Sequence, residues 1–260
     1  ETWQYYLANL IKYNVGNFGV GNYGLDQAFL RFKRELLNYK EAKLIVIGVV
    51  PDTIVRNLTS WKHYSEFGNT FGFKPRFILQ NGKLKLIPNF IKNEKDFFEL
   101  KRILPQVNKY DYFYESFKEK LFTFPYTLSI LKYPKKKAPL LFAYSVRYLL
   151  ELFNINWREL KFIPSSNTKK KLHNFIVENR IHGFKNKEIS NLTLEILKEF
   201  SKISKKKKVS VVFMLMPQKE DLEYMLETKD IYYKKFIEKV KKFMPYIDLT
   251  KKFLQLKDAR

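Results

Sequence analysis

Three short stretches of this 260-residue chain have residue types and spacings suited to chemistry. The first runs from Asn17 to Gln27, through Gly19, Gly21, Asn22 and Gly24, and its only charge is Asp26. Such a glycine-rich turn either makes a tight bend or aims backbone N–H groups at a phosphate or an oxyanion. No lysine follows Gly24, so the turn is not a Walker loop, and it is not read as a nucleotide site. The second stretch, Pro51 to Trp61, follows an apolar run and contains Asp52, Thr53, Arg56 and Asn57; His63 lies just beyond it. The third is Pro217 to Asp221. If the apolar runs before the second and third stretches are parallel strands, these stretches lie at their carboxyl ends, where open α/β sheets bind ligands.

Several side chains have two readings. Arg56 meets a substrate carboxylate or fixes its own loop through an ion pair. His63 faces the cleft or is a half-exposed loop histidine. Trp61 and Trp157 stack on a sugar or fill a core. Asp26 complements a helix N-terminus. The chain has no Cys, which removes disulfides, thiolate metal sites and Cys nucleophiles. His173 and His182 sit in a Lys-rich stretch without carboxylates at ligand spacing, so no metal site is expected.

The segment Asn17-Phe18-Gly19-Val20-Gly21-Asn22-Tyr23-Gly24-Leu25-Asp26-Gln27-Ala28 resembles the second sequence block of the SGNH/GDSL hydrolases, in the branch that reads N-x-G-V-x-G-Y-G-x-D-Q-A. Ile47 to Asn57 is similar to the third block, and Val211 to Pro217 together with Tyr246 to Thr250 resembles the closing strands. The resemblance implies a three-layer α/β/α flavodoxin-like sandwich with a mostly parallel sheet. It also implies an ester hydrolase or O-acyltransferase acting through a serine acyl-enzyme, on a small ester or an O-acetylated bacterial glycan, without a cofactor. The oxyanion-hole candidates it implies are Gly21, Asn22, Asp52, Thr53 and Asn57. Arg56, Trp61 and His63 become substrate-binding candidates, and Asn17, Gly19, Gly24, Asp26 and Gln27 supports of the loop.

The sequence departs from the family pattern in places that matter. Asn22 stands where the block has Gly, a change that keeps the N–H and tolerates a left-handed backbone. Asp52 stands where the third block has Asn; an ionised carboxylate accepts hydrogen bonds but donates none, so Thr53 or Asn57 would have to donate instead. The chain contains no Gly-Asp-Ser, and Ser60, Lys170 and Asn179 stand three places before its histidines, so Asp-x-x-His is absent too. The expectation is a fragment lacking both catalytic ends, inactive by itself; the alternative is a degenerate, non-catalytic homologue.

The elements that would hold these loops follow from periodicity. Trp3, Tyr6, Leu7, Leu10 and Ile11 recur at helical spacing after a possible cap at Thr2, Tyr13 to Val20 is expected to be extended, and Leu25 to Leu37 is an amphipathic helix. Leu44 to Val50 looks like a strand buried on both faces, completing a βαβ unit. Arg76 to Pro88 alternates around Asn81-Gly82, a hairpin signal. Helices are expected over Asp96–Leu104, Tyr110–Phe122 and Pro139–Asn154, separated by prolines 105, 125 and 134. After about Asn186 the pattern is helix to Ser204, strand Val209–Met216, helix Ile231–Phe243 and strand Tyr246–Leu249. The whole is expected to be one domain, with a core of residues 1–60 and 186–260 and an insertion over about 61–185.

With 45% hydrophobic residues, including 24 Phe and 17 Tyr, the chain has ample material for a core and is unlike a disordered sequence. Its 49 Lys and Arg against 26 Asp and Glu give +23. That excess either marks an anionic partner or accompanies the Lys-, Asn- and Ile-rich vocabulary of an AT-rich genome. A non-catalytic binder of nucleic acid or acidic polysaccharide is therefore the rival function, although no specific nucleic acid is expected. A membrane-surface role ranks third. No apolar run is long enough to span a bilayer, and the compartment, cytoplasmic or bacterial periplasmic and cell-envelope, stays open.

Overall fold

The computed structural model describes residues 3–39, 41–66, 68–119, 121, 123–152 and 177–258. Trp157 and His173 lie outside them, as do Thr2 and the end of the expected 139–154 helix. The fold is mixed α/β, and helix dominates, with 54% of the residues against 13% in strands. Among the described residues three strands form the main sheet: β1 (Leu44–Val49), β4 (Ser210–Leu215) and β5 (Tyr246–Asp248), all parallel in the order β1-β4-β5. Leu44 pairs with Ser210 and Val49 with Leu215, while Phe213 pairs with Tyr246. The ladders place the carboxyl ends of β1 and β4 side by side, extended by a bond from Met216 N to Val49 O of 2.8 Å.

The expected extension over Tyr13–Val20 does not become a strand. Residues 14–20 pair with no strand among the described residues, and Gly16 and Gly19 offer no side chains to a pleated surface. In place of strand–helix–strand, the chain runs from helix α1 (Trp3–Ile11) through this loop into α2 (Leu25–Glu35) and then β1. Consequently, among the described residues, β1 is an edge strand rather than one buried on both faces: only Ile47 is fully buried and Leu44 is 56% exposed. In β4 the alternation is clean, with Val211, Phe213 and Leu215 buried.

Helix α8 (Lys187–Lys206) is the main organiser of the core. Asn186 caps it, its Oδ1 accepting from Ile189 N at 3.1 Å, which satisfies one of the helix's orphan donors. Ile189, Leu192, Thr193, Ile196, Leu197, Phe200 and Ser204 recur at steps of one, three and four residues and are all buried. Each large apolar member contributes roughly 1.5–3 kcal/mol by leaving water. This face packs on β4, α2, α3 (Thr53–Arg56) and α10 (Lys234–Val240). Helix α9 (Lys219–Thr228) follows β4, and α11 (Thr250–Asp258) follows β5.

The central region contributes to both hydrophobic clusters. Strands β2 (Arg76–Gln80) and β3 (Lys83–Ile87) form the expected hairpin, with positive φ at both Asn81 and Gly82. Phe77 belongs to the main core, and the hairpin packs on α2 and α8. A second cluster of Trp61, Tyr64, Ile91, Ile103 and Val107 is built under α4 (Leu100–Tyr110) and α5 (Tyr114–Lys118). Pro105 lies inside α4 instead of ending it. Helices α6 (Tyr126–Lys132) and α7 (Pro134–Leu152) form a further hairpin, which is followed, beyond the undescribed stretch, by helical residues 177–185.

Candidate functional site

The three loops singled out by sequence meet at the carboxyl edge of β1 and β4. In the first, Tyr23 N bonds back to Val20 O at 3.4 Å, closing a turn in which Asn22 has φ 63. The left-handed backbone expected of Asn22 is thus observed. Gly21 and Asn22 are exposed, and their N–H groups have no acceptor among the described residues. Within this loop Gly19 N donates to Asn17 Oδ1 at 3.0 Å and Gly24 N to Gln27 Oε1 at 3.4 Å.

Gly24 also brings the first loop onto the second. A Cβ at this position would clash with Asp26 Oδ1 and stand 3.1 Å from Asn57 Oδ1 and 3.2 Å from the Arg56 carbonyl carbon. Only glycine permits this approach. Asn57, fully buried, accepts from Asp26 N at 3.3 Å and donates through Nδ2 to Thr193 Oγ1 at 3.2 Å. Its amide therefore joins α2 to α8 and is committed to that structural role. Asp26 is also fully buried and is paired with Lys74 Nζ. Burial lowers the Lys74 pKa, and the Asp26 charge opposes that shift.

Arg180 connects the second loop to the third. Helical residues 177–185 lie close against α3, where a Cβ on Gly183 would stand 2.9 Å from Ile54 Cγ2. One turn earlier, Arg180 reaches Asp52 Oδ1 at 3.5 Å, Asp221 Oδ1 at 2.8 Å and Glu220 Oε2 at 3.8 Å. Asp221 accepts additionally from Tyr232 OH at 2.7 Å and Gln218 N at 2.8 Å. Burial pulls the Arg180 guanidinium towards neutrality, but Asp221 and Asp52 outweigh it and hold its pKa above the ordinary value. Arg56 Nη2 lies 2.8 Å from Asp52 Oδ2, the loop-fixing ion pair. Here Arg56 and Arg180 face Asp52, Glu220 and Asp221, and with Lys219 of the third loop the charges of the mouth balance in a chain of +23. Arg56 Nε and Gln218 Oε1 are buried without hydrogen-bond partners among the described residues, while Arg180 Nε faces Asp52 Oδ1 at ion-pair distance.

The other candidates are placed as follows. Asp52 is engaged by both arginines. Thr53 is buried and its N–H bonds to Val50 O at 3.0 Å. Trp61 is a core residue, its Nε1 bonded to Thr70 O at 2.9 Å and its ring stacked 4.8 Å from Phe73, so it is not a stacking platform. His63 is half-buried beside Trp61 and Phe117 and accepts from Gly68 N at 3.2 Å. No cluster of metal-ligating side chains occurs among the described residues. Sequence reasoning missed Lys74 and Arg180, which partner residues dozens to more than a hundred positions away and have no local signal.

Gly19, Gly21 and Gly24 fall at the G-x-G-x-x-G spacing of a dinucleotide turn. The structure argues against that use. No strand leads into the turn, and at the N-terminus of α2 the N–H groups of Gly24, Asp26 and Gln27 already bond to Gln27, Asn57 and Asp26 side chains. A pyrophosphate needs those donors free.

Comparison of the chain with protein-family models, with curated proteins and with solved structures finds no match in any of the three.

Proposed function

We propose that this chain is the body of an SGNH/GDSL-type ester hydrolase or O-acyltransferase with a flavodoxin-like α/β/α architecture. It would act through a serine acyl-enzyme whose nucleophile and base come from outside these 260 residues. The observation that carries the reading is the Gly21-Asn22 turn. Its two exposed N–H groups have no acceptors among the described residues, and Gly24 and Asp26 hold the loop behind it against the loop that follows a parallel strand. An oxyanion hole needs donors already aimed before charge develops, and this turn is held from behind by buried bonds. Asn22 N–H is the donor assigned from the first loop. Asp52 and Asn57 are engaged elsewhere in the fold, so they are assigned to support.

A mouth whose charges are paired with one another fits a neutral ester better than a polyanion. An O-acetyl group on a glycan meets that requirement, because neither the acetyl carbonyl nor the sugar oxygen that carries it is charged in the ground state. The test is covalent labelling. The product of the complete open reading frame should react with a fluorophosphonate probe and release acetate from an acetylated ester, and the 260-residue chain alone should do neither. A folded full-length product that neither labels nor turns over an acetyl ester would overturn the proposal.

A further inference from the structure

The α6–α7 hairpin has the wrong polarity for a surface facing water. Phe142, Tyr148, Leu149 and Leu152 of α7 are 72%, 64%, 52% and 60% exposed, and Leu128 and Leu131 of α6 are 62% and 72% exposed. In α7 the positions 142, 145, 149 and 152 recur at three- and four-residue steps, so with Ser145 also exposed they form one helical stripe. A helix on a soluble surface turns such a stripe inwards. Here no side chain of α6 or α7 belongs to either hydrophobic cluster among the described residues, and α7 packs principally against α6.

The charge of the same region is one-sided. The hairpin, Tyr126–Leu152, carries Lys132, Lys135, Lys136, Lys137 and Arg147 against one acid, Glu151, at its far end; Lys137 is buried and donates to the Ser129 carbonyl. Lys132 and Lys135 are exposed at the junction of the two helices, beside the apolar residues. Exposed leucine and phenylalanine next to unopposed lysine match the two layers of an anionic bilayer surface, acyl chains below and phosphates above. We infer that the α6–α7 hairpin docks on an anionic lipid surface, its apolar stripe entering the interface and Lys132 and Lys135 meeting the headgroups. Neither helix is long and apolar enough to cross a membrane, so the hairpin lies on the surface. A second copy fits less well, because self-docking would bring cations against cations. Nucleic acid would use the lysines and leave the leucines in water. This inference is independent of the esterase reading.

Cosedimentation of the chain with vesicles tests it, using phosphatidylcholine alone and equimolar phosphatidylcholine and phosphatidylglycerol. Binding is expected to the anionic vesicles and to weaken with salt. Lys132→Asn with Lys135→Asn should weaken it roughly fivefold per lysine, about 25-fold together. Phe142→Ser with Leu149→Ser should weaken it by roughly tenfold or more while leaving the melting temperature unchanged, since both side chains are exposed. Equal binding to neutral and anionic vesicles, or no binding to either, would overturn the inference. So would an apolar double variant that still binds as well as the parent, which would mean charge alone. A parent chain that is dimeric and becomes monomeric in that variant, without binding vesicles, would assign the face to a second copy. Salt-sensitive binding to a single-stranded oligonucleotide in place of vesicles would assign the lysines to nucleic acid.

Discussion

Replacing Lys74 with Met would strand a carboxylate in the interior. Asp26 is 0% exposed and Lys74 4%, and the ammonium bonds to Asp26 Oδ2 and, at 3.4 Å, to the Pro75 carbonyl. Two unit charges in contact attract by roughly 4 kcal/mol at an effective dielectric constant of about 20. Desolvation of both groups offsets much of this, so the intact pair adds little net stability, whereas removing one partner costs about 3–5 kcal/mol. With a urea m-value of roughly 3 kcal/mol/M for a chain of this size, the Lys74→Met midpoint should fall by about 1–1.5 M. Asp26→Asn added to Lys74→Met should recover most of the loss, because an amide oxygen can still accept from Gln27 N, now at 2.8 Å from Asp26 Oδ1. Equilibrium urea unfolding of the parent, the single and the double variant measures all of this. A midpoint shift below about 0.3 M, or a double variant as unstable as the single one, would refute the account of the pair.

Three further outcomes are expected. Gly24→Ala should destabilise by about 1–3 kcal/mol through overpacking against Asp26, Asn57 and Arg56, while Gly21→Ala, with nothing within 4 Å, should change stability by less than about 0.5 kcal/mol; calorimetric melting compares them. Asp111→Ala should cost at least about 3 kcal/mol, because Thr59 Oγ1, Ser60 N, Trp61 N and Phe113 N all donate to that carboxylate within 3.0 Å, and amide exchange at Ser60, Trp61 and Phe113 should quicken. Burial first, then the Asp111 charge for Tyr64 and the Asp221 charge for Tyr232, raise these tyrosines above 10.0, and burial also raises Tyr233. Their folded pKa values exceed the unfolded ones, so the stability they contribute is fully present below pH 10 and is lost above it, by up to roughly 4 kcal/mol per pH unit for three protons. Tyrosinate absorbance should show these phenols ionising only with unfolding; a smooth titration of all 17 Tyr in the folded protein would contradict this.

Elements with a local signal were legible in the sequence. Asn81-Gly82 announced the hairpin, Asn186 the start of α8, and the spacing of Leu192, Ile196, Leu197 and Phe200 its buried face. Tyr13–Val20 was misread because an extended pattern becomes a strand only where a neighbour supplies a ladder. Pro105 was misread because a proline punctuates a helix only when packing does not hold the turn around it. In the site, the loop supports were readable from Asn17 to Gln27, since each bonds within a few residues. Arg56 left a choice that only the geometry resolves, through Asp52. Lys74, Arg180 and Asp111 were invisible because their partners are distant in sequence, and tertiary electrostatics has no period.

The unaccompanied side of β1 has a consequence for handling. Leu-Ile-Val-Ile-Gly-Val is an uncharged hexapeptide of high β-propensity with one ladder edge open among the described residues, the sequence and geometry from which stacked intermolecular sheets grow. What opposes that growth is long-range repulsion between molecules of +23. Colloidal stability should therefore fall as ionic strength rises and shortens the repulsion to within a few ångströms of each surface. Concentrating the protein at low salt keeps the strands apart.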